Sequence, residues 1–173
     1  MRIPGIGGEV FKRAGGVPVN IPGGELYTAL QTGVIDATEW VGPYNDLAFG
    51  FQQIAKYYYF PGWHEPGSML EFIINLDAWN ELPTHLQSIV KTAAKAVNQD
   101  LLDEYTAMNN QALRELIDVH NVQLKKLPDD VINEFRVISK SVLDEIAEND
   151  NQFKSIYESY LKFKSEVVSY HEI

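Results

Sequence analysis

The chain has 173 residues and contains no cysteine. This absence excludes disulfide bonds, thiol chemistry and zinc sites with cysteine ligands. The sequence also has no run of 18 apolar residues, so it predicts no membrane-spanning helix. Positive charge is scarce, because 14 Lys and Arg residues stand against 24 Asp and Glu residues and form no basic cluster. The net charge of −10 therefore argues against nucleic acid as a partner.

Motifs of common enzyme classes are missing as well. The chain has no G-x-S-x-G nucleophile elbow, and "GIGG" at residues 5–8 does not complete G-x-G-x-x-G. The stretch "HEPGS" at residues 64–68 lacks a second histidine four positions on, and Pro66 argues against a helix there. One enzymatic alternative stays open, a metal-dependent hydrolase using Glu39, His64 and Glu65.

Hydrophobic residues make up 45% of the chain, which is enough for a real core. Short apolar stretches alternate with helical patterns over the first sixty residues, as in an α/β layer with partly parallel strands. A helix is predicted to begin at Pro43 and to continue through "PYNDLAFGFQQIA". The predicted strands are "RIP" (2–4), "VPVNI" (17–21), "VIDATEW" (34–40), "KYYYFPG" (56–62) and "SMLEFIINL" (68–76).

The rest of the chain is mainly helical in pattern. "LDAWNELP" predicts a short helix ended by Pro83, and apolar residues then recur at helical spacing for roughly 36 residues from Thr84. Such a helix spans about 54 Å, so we expect it to run along or between two bodies. "VQLKKLP" (122–128) predicts a short strand, and another helix is expected from about 128 to 148.

The last segment, residues 152–170, is labelled α7 and carries an apolar stripe at heptad-like spacing, which we call the α7 stripe. A polar break at residues 149–151 separates it from the helix before. The stripe packs either on the protein's own core or on another chain. Its residues are Phe153, Ile156, Tyr160, Phe163, Val167 and Tyr170.

Carboxylates at strand ends are the main candidates for a binding site. Glu39 and Trp40 end the predicted strand 34–40, and Glu65 lies in a Gly/Pro-rich loop. Two carboxylates and a backbone carbonyl suit a hard cation such as Na⁺ or Ca²⁺. Arg2 could hold a carboxylate ligand through its planar guanidinium. The alternative is that Glu39 is an ordinary surface acid and Arg2 is simply solvated.

Two stretches resemble a known family. "MRIPGIGGEVFKRAGGVPVNIPGGELYTALQTGVIDATEWVGPYND" (1–46) and "KYYYFPGWHEPG" (56–67) are similar to the solute-binding subunit (DctP type) of tripartite ATP-independent periplasmic (TRAP) transporters. The likeness is greatest to the branch that binds 2-oxo and 2-hydroxy monocarboxylates. It is specific across residues 1–67 and looser in the C-terminal helices.

The resemblance implies a periplasmic receptor rather than an enzyme. It would have two α/β lobes around a small carboxylate such as pyruvate or lactate, and would deliver that ligand to TRAP membrane subunits. Arg2 would hold the ligand carboxylate. Glu39, the Trp40 carbonyl and Glu65 would hold a cation, Na⁺ or Ca²⁺, that bridges to the ligand, and Trp40 would also contact the ligand.

Family members are roughly twice as long and begin with a signal peptide and a first lobe. We therefore expect this chain to be the C-terminal part of a two-lobed periplasmic-binding-protein-like fold with a mixed sheet. Its expected parts are a ligand-binding lobe portion (1–75), a lobe-crossing portion (76–127) and C-terminal helices (128–173) that form a homodimer, as in swapped dimers of this branch. A structural or assembly domain without a ligand is the remaining alternative.

Overall fold

A computed structural model describes residues 1–67 and 70–171. Helices dominate, and two short 3-10 turns, Gly23–Glu25 and Phe51–Gln53, accompany them. The elements are α1 (Gly5–Arg13), α2 (Leu26–Gln31), α3 (Pro43–Ala48), β1 (Tyr57–Phe60), α4 (Leu76–Glu81), α5 (Thr84–Asp118), β2 (Gln123–Lys126), α6 (Asp129–Asn149) and α7 (Asn151–His171). The chain divides into two compact units, Met1–Ile21 with Leu127–Ile173, and Pro22–Lys126.

The first unit is built from α1, α6 and α7. Helix α1 packs on α6, and α6 packs on α7. Ile3 and Val10 are each only 1% exposed and form the centre of the unit with Val142. At the solvent-exposed edge of the contact between α1 and α6, the Arg13 guanidinium donates two hydrogen bonds to the Glu145 carboxylate, at 2.6 and 2.8 Å. Burial on the inside and a bidentate ion pair on the outside therefore fix α1 against α6.

The second unit contains α2 to α5 and a two-stranded sheet. Strands β1 and β2 run parallel, with Tyr57 opposite Gln123 and Phe60 opposite Lys126. The predicted strands in "KYYYFPG" and "VQLKKLP" are thereby confirmed, as is parallel pairing. Helix α3 packs on α5. The core includes Leu26, Ile35, Phe51, Ala112, Leu116 and Val122.

Four of the predicted strands are wrong over the described residues. "RIP" and "VPVNI" meet only in an isolated parallel bridge between Arg2 and Val19. "VIDATEW" contributes one bridging residue, Thr38, and residues 70–75 of "SMLEFIINL" have no regular structure. Ser68 and Met69 of that stretch lie outside the described residues. The physical reason is that a strand requires a neighbouring ladder, which apolar sequence alone does not supply.

The long helix is confirmed. Helix α5 has 35 residues, begins directly after Pro83 and corresponds to about 52 Å of helix. The short helix before it, α4, is also confirmed, and Asn75 caps it by accepting a 3.1 Å hydrogen bond from the Ala78 amide. Among residues 1–67 and 70–171, no helix combines the length and apolarity needed to cross a membrane.

The helix predicted to continue through residues 43–55 is shorter than expected. Helix α3 ends at Ala48, and Gly50 follows with φ of +78°, in the left-handed region. A glycine adopts that conformation without steric cost, so the chain turns there into the 3-10 turn at 51–53. Apolar spacing predicts a longer helix because it does not register Gly50 as a helix stop.

The polar break before the last helix is confirmed. Helix α6 ends at Asn149, and Asp150 has an extended backbone. The Asp150 carboxylate accepts hydrogen bonds from the amides of Gln152 and Phe153, at 2.8 and 2.9 Å, and so caps α7. Along α7, much of the stripe is not covered by its own chain, since Ile156 is 64% and Phe163 is 65% exposed. The interpretation that the α7 stripe packs on the protein's own core is therefore wrong for these residues.

Candidate functional site

Glu39 lies in an extended segment of the second unit, between the buried Ile35 and helix α3. Its side chain is only 11% exposed, and its Oε2 lies 3.4 Å from Nε2 of His64, whose side chain is 16% exposed. A hydrogen bond joins the two groups when Nε2 carries the proton. Glu39 is therefore not an ordinary surface acid, because its carboxylate is largely shielded from water and held from the loop that follows β1.

Trp40 is fixed mainly by its ring. The indole packs on Phe49 with ring centroids 4.9 Å apart, and Phe49 in turn packs on Phe51. On another side the ring meets Gly23 so closely that a Cβ there would lie 2.5 Å from Cη2 of Trp40. The absence of a side chain at Gly23 thus makes room for the indole. A ring held in this way also restrains the backbone carbonyl of Trp40, the atom that the sequence analysis predicts to be a cation ligand.

The start of α3 is capped from a distant helix. Asn109 of α5 accepts a 3.0 Å hydrogen bond from the Tyr44 amide through its side-chain Oδ1. The same oxygen lies 3.2 Å from the position that a Cβ on Gly42 would take. The ring of Tyr44 packs edge-on against Tyr105 of α5. These contacts anchor the chain just after Trp40 to the long helix.

A buried pair that the sequence did not reveal lies behind this loop. Asp46 of α3 is 7% exposed, and its Oδ2 accepts a 2.6 Å hydrogen bond from the Tyr58 hydroxyl of β1. Burial raises the pKa of Asp46, while the Tyr58 hydrogen bond and the nearby Gly42 and Val41 amides oppose that rise. Burial and the Asp46 charge likewise raise the pKa of Tyr58 above its ordinary value. The pair therefore keeps the hydroxyl protonated as a donor to the carboxyl group.

Alternation along β1 was the one signal that could have indicated this pair. Tyr57 and Tyr59 are exposed, whereas Tyr58 between them is not. Side chains of a strand point alternately to opposite faces, so one tyrosine of the three had to face inward and find a partner for its hydroxyl. The identity of that partner, Asp46, depends on how α3 folds against β1 and is not encoded in local spacing.

The remaining candidates lie in two places. Glu65 is exposed and follows His64 in the loop after β1. Arg2 belongs to the other compact unit, where its Nε donates a 3.3 Å hydrogen bond to the Ile21 carbonyl. The convergence of Arg2 with Glu39, Trp40 and Glu65 stays a prediction.

The predicted cation ligands are oxygen atoms, the donor type that a hard cation prefers. Within residues 1–67 and 70–171, no three His, Cys, Asp or Glu residues come together as a group that could hold a metal ion. The hydrolase alternative needs such a group from Glu39, His64 and Glu65, so it gains no support. Carboxylate and carbonyl oxygens from Glu39, Glu65 and Trp40 match the donors that Na⁺ and Ca²⁺ take, which a bound ligand and water can complete.

Comparison with known proteins identifies the family to which this chain belongs. The model of the family described as bacterial extracellular solute-binding protein, family 7 (DctP), matches residues 1–150, and the chain belongs to this family. The resemblance inferred from residues 1–67 is thereby confirmed. Known members of this class in the comparisons are periplasmic binding proteins of TRAP transporters.

One relative and one solved structure are similar to almost the whole of this chain. The chain is 40% identical over 173 residues to the monocarboxylate 2-oxoacid-binding periplasmic protein of a Nostoc species, covering 100% of this chain and 47% of the relative. It is also similar to a TRAP periplasmic solute-binding protein of Colwellia psychrerythraea with bound calcium and pyruvate, at 42% identity and a TM-score of 0.93. That match covers 98% of this chain and 52% of the other.

A third structure shows a different ligand. The TRAP solute-binding protein of Bordetella bronchiseptica, described as a mixed-occupancy dimer with calcium and picolinate, is 37% identical with a TM-score of 0.90, covering 98% of this chain and 50% of the other. The predicted fold class is confirmed by these likenesses. The chain spans about half the length of the relatives it matches.

Proposed function

We propose that this chain forms part of a periplasmic receptor that captures a small 2-oxo or 2-hydroxy carboxylate, such as pyruvate or lactate, for a TRAP-type transporter. The observation that carries the proposal is the shielded Glu39 carboxylate, held by His64 beside Trp40. It occurs in a chain 42% identical to a protein whose structure contains calcium and pyruvate.

The ligand is held through a bridging cation, Na⁺ or Ca²⁺, bound by Glu39, the Trp40 carbonyl and Glu65. Arg2 pairs with the ligand carboxylate, and the Trp40 ring contacts the ligand. A cation bound in this way chelates both the carboxylate and the neighbouring 2-oxo or 2-hydroxy oxygen, because hard cations prefer oxygen donors. Relatives with calcium and pyruvate, and with sodium and pyruvate, support this assignment.

The receptor binds its ligand without chemical turnover. The family to which the chain belongs is one of solute-binding proteins, which supports this part of the proposal. Its membrane partners are TRAP subunits. The division of the chain into a ligand-binding portion (1–75), a lobe-crossing portion (76–127) and C-terminal helices (128–173) stays a prediction.

The receptor also associates with a second copy of itself through the C-terminal helices. The exposed side chains of the α7 stripe support this part of the proposal, since Ile156, Tyr160 and Phe163 are all more than half exposed. A heptad-like row of such residues is suited to packing against another helix. The Bordetella relative, described as a dimer, points in the same direction.

Ligand selectivity tests the proposed function. Calorimetry with calcium present should detect binding of pyruvate and lactate to the intact receptor, and much weaker binding of propionate. Propionate has the same carbon chain and carboxylate but lacks the oxygen at position 2, so the cation can make only the carboxylate contacts. Equal binding of all three acids would contradict chelation, and turnover of an ester or amide substrate with bound zinc would favour the hydrolase instead.

A further inference from the structure

The buried pair behind the site loop has no part in the ligand contacts proposed above. We propose that Asp46 and Tyr58 are positioning residues of the cation site: their hydrogen bond fixes the segment carrying Glu39 and Trp40 against the segment carrying Glu65. The cation in this statement rests on the proposed function. The mechanical tie between the two segments rests on the geometry of the pair alone.

Asp46 and Tyr58 each lie in the secondary-structure element next to one of the two site segments. Asp46 lies in α3, which begins at Pro43, just after Trp40. Tyr58 lies in β1, which ends at Phe60, just before the loop with Glu65. The 2.6 Å bond between the Tyr58 hydroxyl and Oδ2 of Asp46 therefore ties the two segments together close to where each leaves the packed part of the unit.

A second tie joins the same segments farther out. There, His64 of the loop after β1 meets Glu39 of the loop before α3 at 3.4 Å. Together with the chain from 39 to 46 and the chain from 58 to 64, the two hydrogen bonds close a ring. Within that ring, neither loop can shift alone without breaking one of the bonds. The Asp46–Tyr58 hydrogen bond therefore holds the two segments together, while the His64–Glu39 hydrogen bond orients the Glu39 carboxylate.

Burial makes the inner bond difficult to replace. Asp46 is 7% exposed and Tyr58 is partly buried, so water has limited access to their hydrogen bond. A buried hydroxyl or carboxyl that loses its partner bears the full cost of its desolvation, whereas an exposed one turns to water. The hydroxyls of Tyr57 and Tyr59 on the same strand stand on side chains that are more than half exposed. Groups that orient metal ligands contribute through this kind of fixed geometry.

Tyr58→Phe tests the proposal, with Tyr59→Phe as the matched control. Both changes remove one phenolic oxygen from the same strand, but the Tyr59 side chain is 56% exposed. Hydrogen exchange of the amides at 36–42 and 61–67 measures how firmly the two loops are held. Calorimetry with calcium alone measures the calcium affinity of the site. We expect Tyr58→Phe to accelerate exchange in both loops and to weaken calcium binding by about tenfold. We expect Tyr59→Phe to change neither.

Two replacements of Asp46 separate geometry from charge. Asp46→Asn keeps an oxygen that can accept from Tyr58, whereas Asp46→Leu does not. A geometric tie predicts that calcium affinity and slow exchange survive largely in Asp46→Asn and are lost in Asp46→Leu. Should Asp46→Leu fail to fold, Tyr58→Phe still decides the matter, because it preserves the ring and its packing.

Urea unfolding of each variant distinguishes positioning from general stability. The proposal is overturned if Tyr58→Phe lowers the unfolding midpoint but leaves loop exchange and calcium affinity as in the wild type. It is also overturned if Tyr59→Phe has the same effects as Tyr58→Phe. If the wild type binds neither calcium nor sodium, the proposed function fails, while the exchange comparison still decides whether the pair ties the two loops.

Discussion

Asn109, in the middle of the long helix α5, accepts a 3.0 Å hydrogen bond from the amide of Tyr44, at the start of the short helix α3, across 65 positions of sequence. The first amides of a helix have no partner within it, so this side chain supplies one of the missing acceptors. The consequence is that the loop containing Glu39 and Trp40 continues into a helix whose start is fixed by α5.

Removing this cap should destabilise the protein. We expect Asn109→Ala to lower the free energy of unfolding by about 1 kcal/mol, the usual cost of losing a helix N-cap. Asn110→Ala, at the exposed neighbouring position, is the control and should have little effect. Urea unfolding measures both, and equal stability of Asn109→Ala and the wild type would show that the contact does not cap α3.

A methyl group at Gly23 should disturb the site through Trp40. A Cβ there would lie 2.5 Å from the indole, so the ring must move. We expect Gly23→Ala to destabilise the protein by about 1–3 kcal/mol, as overpacking usually does, and to weaken pyruvate binding. The matched control is Gly24→Ala in the same turn, since a Cβ there meets nothing within 4 Å. Identical behaviour of the two variants would refute this role of Gly23.

The Arg13–Glu145 ion pair between α1 and α6 should make the free energy of unfolding depend on pH. Hydrogen bonds from Arg13 and Ser141 lower the pKa of Glu145 from 4.5 to about 2. Since the pKa is lower in the folded state, the stabilisation is fully present above pH 4.5 and is lost as the pH falls towards 2.

Glu145→Gln should accordingly be less stable than the wild type at pH 7, with the difference shrinking as the pH approaches 2. Salt should reduce the effect as well, because the pair is exposed. Glu148→Gln, an exposed acid on the same helix, is the control. Urea unfolding across pH measures the difference, and a gap between the Glu145→Gln and wild-type proteins that does not change with pH would contradict the assignment.

The sequence predicted those parts of the fold that depend on local signals. Helix α5 followed from apolar periodicity after Pro83, and the break at Asp150 followed from a short polar run. The strands at 34–40 and 68–76 were overestimated because a strand is defined by its neighbour, which a single stretch of sequence does not identify. Helix α3 was overextended because Gly50 adopts a left-handed conformation, which apolar spacing does not report.

The candidate site likewise has residues that the sequence predicted and contacts that it did not. Glu39, Trp40, Glu65 and Arg2 could be named because they stand in recognisable motifs. By contrast, the Asp46–Tyr58 bond spans 12 positions and the Asn109 cap spans 65, and both arise only when α3 packs on α5 and its Asp46 reaches Tyr58 of β1. Buried polar pairs of this kind depend on the arrangement of several elements, so a pattern within one element does not reveal them.

The α7 stripe should hold two copies together. We expect Ile156→Asp combined with Phe163→Asp to convert a dimer to a monomer, because charges cannot be buried in an apolar helix contact without a large desolvation cost. Ser155→Asp with Ser159→Asp adds the same charge beside the stripe and should leave the assembly intact. Light scattering measures the mass, and a dimer that survives in the first variant would assign the interface elsewhere.

The cation-bridged ligand is tested most directly by calorimetric titration of pyruvate into the intact receptor and its Glu39→Gln variant, each in sodium-free buffer with calcium and after chelation of the calcium. We expect wild-type binding to depend on calcium and Glu39→Gln to weaken it by about tenfold to a hundredfold, since a charged contact to the cation is lost. Glu81→Gln, an exposed acid in α4, should bind as the wild type does. Pyruvate affinity that is unchanged by chelation and by Glu39→Gln would contradict the account.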